Sequence, residues 1–155
     1  MTGSLTGRCL CGVAQYEVVA EPLTLYACHC TDCQTSSGAS FTLILTVPPQ
    51  SIAIRAGTPK PYERMRANGI RKNVFRCPDC LAQLWGARPE GKFWSVYAGT
   101  LDGSDSLRPV GHIWTRSAQP WIEIPEGSLR YEQEPESMSP FLRAWKDRES
   151  GRVGP

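Results

Sequence analysis

Apolar positions along this chain recur mostly at period two or in short unbroken runs. VAQYEVVA (13–20) alternates in part and stops at Glu21-Pro22, FTLILTV (41–47) is nearly continuous and closed by Pro48-Pro49, and SIAIRA (51–56) alternates again. A strand with one covered face alternates, whereas a strand covered on both faces reads as an apolar run, so these segments predict buried strands joined by tight connections. Further strands are predicted at 73–77, 93–98, 121–124 and 128–131, each bounded by Gly, Pro or Asn. Helical period is confined to a short turn after Cys33 and to SPFLRAWKDRES (139–150), where Phe141, Leu142 and Trp145 share one stripe. The terminal SGRVGP is expected to fray.

Composition sharpens this to a mainly β fold of small antiparallel sheets with few short helices, because 14 Gly and 13 Pro favour turns between short strands. A chain of 155 residues fits one domain over 1–155, with a core of about 5–132 and a C-terminal extension at 133–155.

The net charge of +2 is too mild for a nucleic-acid protein, so no nucleic-acid partner is expected. The charge is nonetheless uneven. Arg55, Lys60, Arg64, Arg66, Arg71, Lys72 and Arg76 crowd residues 55–76 against one acid, Glu63, which reads either as a solvated face or as a positive rim for a small acidic ligand. MTGSLTGRCLCG lacks the apolar core of a signal peptide, and no window approaches the roughly 18 apolar residues of a membrane span. The expectation is a cytoplasmic protein without a membrane partner, in a compartment that keeps thiols reduced and makes clustered cysteines metal ligands or catalytic groups.

All seven cysteines fall in close-set groups: Cys9 and Cys11 as C-x-C, Cys28, Cys30 and Cys33 as C-x-C-x-x-C, and Cys77 and Cys80 as C-x-x-C. Scattered core cysteines do not cluster so, an odd count strands one thiol in any disulfide scheme, and C-x-C pairs rarely meet disulfide geometry. Zinc takes thiolates in tetrahedral array; structural sites close with four protein ligands and catalytic sites keep three, leaving one position open. Seven therefore divides as four and three. Two knuckles, Cys9/Cys11 and Cys77/Cys80, make one closed site, and Cys28, Cys30 and Cys33 hold a second zinc with an open position. A competing partition adds His29 to the three cysteines, although in an extended segment His29 points away from Cys28 and Cys30.

GRCLCGVAQYEV (7–18), CHCTDCQTSSGASF (28–41) and FRCPDC (75–80), with a weaker echo in GHIWTRSAQPWIEI (111–124), resemble the glutathione-dependent formaldehyde-activating enzyme (GFA) family. That resemblance implies small sheets arranged around zinc, as in a zinc-containing Rab guanine-nucleotide-exchange factor. It implies a structural zinc on Cys9, Cys11, Cys77 and Cys80 and a catalytic zinc on Cys28, Cys30 and Cys33. The implied reaction is carbon–sulfur lyase chemistry that joins a small thiol, glutathione, to formaldehyde. Leu81 stands where the family commonly has Gly, and Arg76 separates Phe75 from the last C-x-x-C; these departures bear on the surroundings of the knuckle rather than on its ligands.

For proton transfer, His29, Asp32 and His112 are the nearby candidates. Ser36, Ser37 and Gly38 read either as donors to a substrate carboxylate or as a capped helical turn. Trp94, Trp114 and Trp121 read as core. Two further readings fit the same motifs: a non-enzymatic zinc module that binds a partner, since a centromere-associated animal protein is similar to this family, and the same zinc chemistry on another thiol or an imine.

Overall fold

The computed structural model describes residues 5–65 and 69–151; Arg66 and most of the tail predicted to fray lie outside them. In chain order the elements are β1 (Leu5–Arg8), β2 (Gln15–Val18), β3 (Thr24–Cys28), α1 (Thr31–Ser37), β4 (Thr42–Val47), β5 (Ile52–Ala56) and β6 (Lys60–Met65). They continue as β7 (Arg71–Arg76), β8 (Gln83–Ala87), β9 (Trp94–Tyr97), β10 (Gly111–Ile113), β11 (Leu129–Tyr131) and α2 (Ser139–Glu149). The fold is mainly β with two α-helices, as the sequence pattern predicts. Contacts divide the chain into two compact units, each built from two stretches: Met1–Pro22 with Thr46–Ser106, and Leu23–Leu45 with Leu107–Pro155.

The first unit holds an antiparallel sheet in the order β1-β2-β5 and an antiparallel meander, β6 to β9. Its core forms where a glycine meets an aromatic ring. Gly7 pairs with Tyr16 across the strands, and a Cβ on Gly7 would lie 2.5 Å from the Tyr16 ring, so the missing side chain is the space the ring fills. Tyr16 is fully buried, its hydroxyl 2.7 Å from Thr100 Oγ1, and burial pushes its pKa up to about 12. Its ring packs on Trp85, which stacks on Phe75 with centroids 4.8 Å apart.

In the second unit β10 pairs in parallel with both β3 and β11, and β4 follows β3 in the sheet order. The parallel pairs are an addition to the antiparallel architecture expected from sequence. Cys28, Cys30, Ile44, Ile113 and Phe141 form one buried cluster. Helix α2 supplies Phe141 and Trp145, four residues apart and both buried, with Leu142 half-buried beside them, so the predicted stripe forms.

Three expectations are corrected. Residues 121–124 form no strand: Pro120 and Pro125 bracket them, each lacking an N–H, and the Ile122 amide closes a turn on the Gln119 carbonyl, 3.0 Å away. Trp121 is 67% exposed and therefore not core. Strand β5 is not buried, since it is the last strand of its sheet and leaves Ile54 half-exposed. Strands β1, β3, β6, β8 and β10 are found where the pattern predicted none.

Candidate metal centre

Both clusters grow from strand ends. In the first unit β1 ends at Arg8 and turns at Cys9, where the Gly12 amide bonds to the Cys9 carbonyl at 3.1 Å; β7 ends at Arg76 and turns at Cys77, where the Leu81 amide bonds to the Cys77 carbonyl at 3.1 Å. The residue after the second cysteine is left-handed in each turn, Gly12 at φ 80° and Leu81 at φ 60°. Two tight turns from distant parts of the chain thereby converge. The ligand atoms of Cys9, Cys11, Cys77 and Cys80 all lie within 4.8 Å of one another, with Sγ–Sγ distances of 3.4 Å from Cys9 to Cys11 and 3.7 Å from Cys11 to Cys77. Zinc–sulfur bonds of about 2.3 Å in a tetrahedron set sulfurs about 3.8 Å apart, so this donor set fits zinc.

Electrostatics points the same way. The Ala82 amide, followed by the Cys11 amide, draws the Cys80 thiol down to about 6. At Cys9 burial raises the pKa but the Ala14 amide, 3.2 Å from the sulfur, and neighbouring thiols outweigh it, and the thiol is lowered. At Cys11 the Val13 amide lowers the pKa while Cys9, burial and the remaining thiols raise it, to about 12. Four sulfurs this close do not all become thiolates unaided; a dication removes the mutual repulsion.

The second unit brings together Cys28, Cys30 and Cys33, again within 4.8 Å, with Cys28 and Cys30 Sγ 3.5 Å apart. Cys28 closes β3, Cys30 caps α1 and Cys33 lies in its first turn, its amide 3.4 Å from Cys30 Sγ. Hydrogen bonding to Cys30 and Cys33, then burial, raises the Cys28 thiol. Among the described residues no fourth His, Cys, Asp or Glu joins this cluster. All seven cysteines are thiols without disulfides.

His29 lies outside the cluster. It is fully buried, with Nε2 2.9 Å from His112 Nδ1, and its ring packs 5.2 Å from Phe41. Burial lowers both imidazoles, and the neighbouring His29 and Arg130 help bring His112 to about 4, so the pair is neutral near pH 7. Asp32 is in the first turn of α1. Ser36 and Ser37 direct their hydroxyls to the Cys33 carbonyl at 3.3 and 2.8 Å, and Gly38, at φ 66°, closes the helix with its amide on the Gln34 carbonyl. Those three residues thus form the capped turn.

Sequence reasoning missed the clamp on this loop. The His29 carbonyl accepts from Gln34 Nε2 at 2.7 Å and from Ser117 Oγ at 3.0 Å, and Gln119 Nε2 holds Gln34 Oε1 at 2.8 Å. The His29 amide bonds to the Ile113 carbonyl at 3.0 Å. The signals in the sequence were the stretch CHCTDCQTSSGASF, which contains Gln34, and the echo at 111–124, which contains Ser117 and Gln119.

A small mainly β protein with two cysteine clusters, one of four and one of three, both fit to hold metal, is the class that fold and sites define. A profile of the glutathione-dependent formaldehyde-activating enzyme family matches residues 4–117, and the chain belongs to that family. A crystal structure of a Rhodobacter sphaeroides protein is similar at a TM-score of 0.51 and 17% identity, covering 81% of this chain and 98% of that one, a likeness of fold. No curated protein matches the chain.

Proposed function

We propose that Cys28, Cys30 and Cys33 hold a zinc ion open to a small thiol, that Cys9, Cys11, Cys77 and Cys80 hold a structural one, and that the protein is a carbon–sulfur lyase. It reversibly joins a thiol such as glutathione to formaldehyde. The observation that carries this reading is the convergence of three sulfurs without a fourth ligand among the described residues, in a chain of this family.

The chemistry balances without a redox partner: a sulfur–carbon bond forms, the carbonyl π bond breaks, and the thiol proton ends on the new hydroxyl. Zinc bound by three thiolates supplies a centre that lowers the pKa of an added thiol; its net negative charge suits that role better than polarising the aldehyde. The chain's own residues fix the geometry. Gln34, Ser117 and Gln119 hold the loop through the His29 carbonyl, and Ile44, Ile113 and Phe141 pack against Cys28 and Cys30, keeping water from that side. Ser36 and Ser37 brace the same turn, their hydroxyls bonded to the Cys33 carbonyl.

NMR exchange spectroscopy of glutathione with formaldehyde tests the reading, because this addition also runs uncatalysed. Metal-loaded protein should raise the exchange rate above background, and Cys30→Ser should remove the increase while circular dichroism stays unchanged. Background exchange with the wild type, or full acceleration by Cys30→Ser, contradicts it.

A further inference from the structure

We infer, on the reading of Cys28, Cys30 and Cys33 as an open zinc site, that the thiol taken there carries a carboxylate and that Arg116, propped on Trp114, binds that group. Residues 114–116 form a turn pinned to the cysteine loop at both ends. Just before the turn the Ile113 carbonyl accepts from the His29 amide at 3.0 Å. Just after it the Ser117 hydroxyl bonds to the His29 and Trp114 carbonyls, each at 3.0 Å. His29 lies between Cys28 and Cys30, so the turn is fastened to the stretch of chain that carries two of the three sulfurs.

Trp114 is an unfavourable residue for this turn. Its backbone is left-handed, at φ 60° and ψ 36°, a region that suits glycine and is an outlier for a bulky aromatic. Its indole Nε1 is buried without a hydrogen-bond partner among the described residues. A glycine would make the turn without either cost, so the turn itself does not account for the ring. Two contacts use it. The half-buried side chain packs against the cluster that contains Cys28 and Cys30, and the Arg116 guanidinium stands 5.0 Å from the ring centroid.

Arg116 is exposed and makes no ion pair among the described residues. Its planar fork matches a carboxylate through two parallel N–H bonds, and a guanidinium already held over a ring has less freedom to lose on binding. The turn brings one cation to the loop, which suits a single carboxylate, whereas a polyanion is held by several. Glutathione carries such carboxylates. Because the pair is exposed, its contribution is a modest factor of about five in affinity, and salt weakens it.

Isothermal titration calorimetry of the zinc-loaded chain, with glutathione and with its dimethyl ester, tests the inference, because the ester keeps the thiol and loses both carboxylate charges. The wild type should bind glutathione about fivefold more tightly than the ester, an advantage that shrinks as salt rises. Arg116→Gln should abolish the advantage by weakening glutathione alone. Trp114→Leu, which keeps an apolar side chain against the cluster but puts no ring beneath the guanidinium, should reduce it. Arg143→Gln, the same change of charge on an exposed residue of α2, should leave it intact. Equal affinity of the wild type for acid and ester, an advantage retained by Arg116→Gln or Trp114→Leu, or an equal loss with Arg143→Gln would overturn the inference and leave the thiol site standing. Absence of binding by both compounds would overturn the thiol site and the inference together.

Discussion

Leu81 keeps the left-handed backbone of a glycine, at φ 60°, directly after the second cysteine of its knuckle, as Gly12 does in the other. Left-handed backbone costs a side-chain-bearing residue about 1–2 kcal/mol, partly offset here because leucine restricts the unfolded chain more than glycine does. Leu81→Gly should therefore stabilise the protein by up to ~1 kcal/mol, a rise of ~2–4 °C in Tm by calorimetry; a lower Tm contradicts the strain. At His112 the unfolded chain takes up a proton near pH 6.5, whereas the folded one does so only near 4. Its neutral form therefore contributes stability that is complete above pH 6.5 and is lost as pH falls towards 4. His112→Asn, which retains a polar group for His29, should flatten that part of the denaturation profile relative to the wild type. All seven thiols were legible from spacing at this scale. Gln34, Ser117 and Gln119 were not, because an amide clamping a distant carbonyl leaves no period in the sequence.

Elements were legible where burial imposes a pattern. The apolar run of β4 and the four-residue spacing of Phe141 and Trp145 on α2 appear in the fold at nearly the predicted bounds. Strand β6 was hidden because its side chains are mostly exposed and charged, so no apolar period marks it, and β10 because it is three residues long. Yet β10 positions the three-cysteine loop, pairing Ile113 with Cys28. Its first residue, Gly111, has no room for a side chain: a Cβ would meet Leu129 Cβ at 2.5 Å and the Leu129 carbonyl oxygen at 2.7 Å. Gly111→Ala should cost ~1–3 kcal/mol in chemical denaturation and loosen metal binding by the second unit; an unchanged midpoint contradicts that packing. Phe141→Ala, which empties the centre of the same cluster, should cost ~3–5 kcal/mol.

Across the whole molecule, each compact unit carries one cysteine cluster assembled from its own segments. No described helix is long and apolar enough to cross a membrane. The split into four and three follows from counting thiols, and the structure places the sulfurs in those two groups. With fewer protein ligands, the three-cysteine site should release metal first as a chelator is titrated, and Cys77→Ser should destabilise the first unit by removing a ligand from its closed site. The central claim is that the second zinc has an open position that accepts a thiol. X-ray absorption at the zinc edge, on protein carrying two zincs per chain, tests it most directly. The account predicts about 3.5 sulfurs per zinc on average, rising to about 4 when glutathione is added. About four sulfurs before any thiol is added, or no rise on adding glutathione, would contradict it.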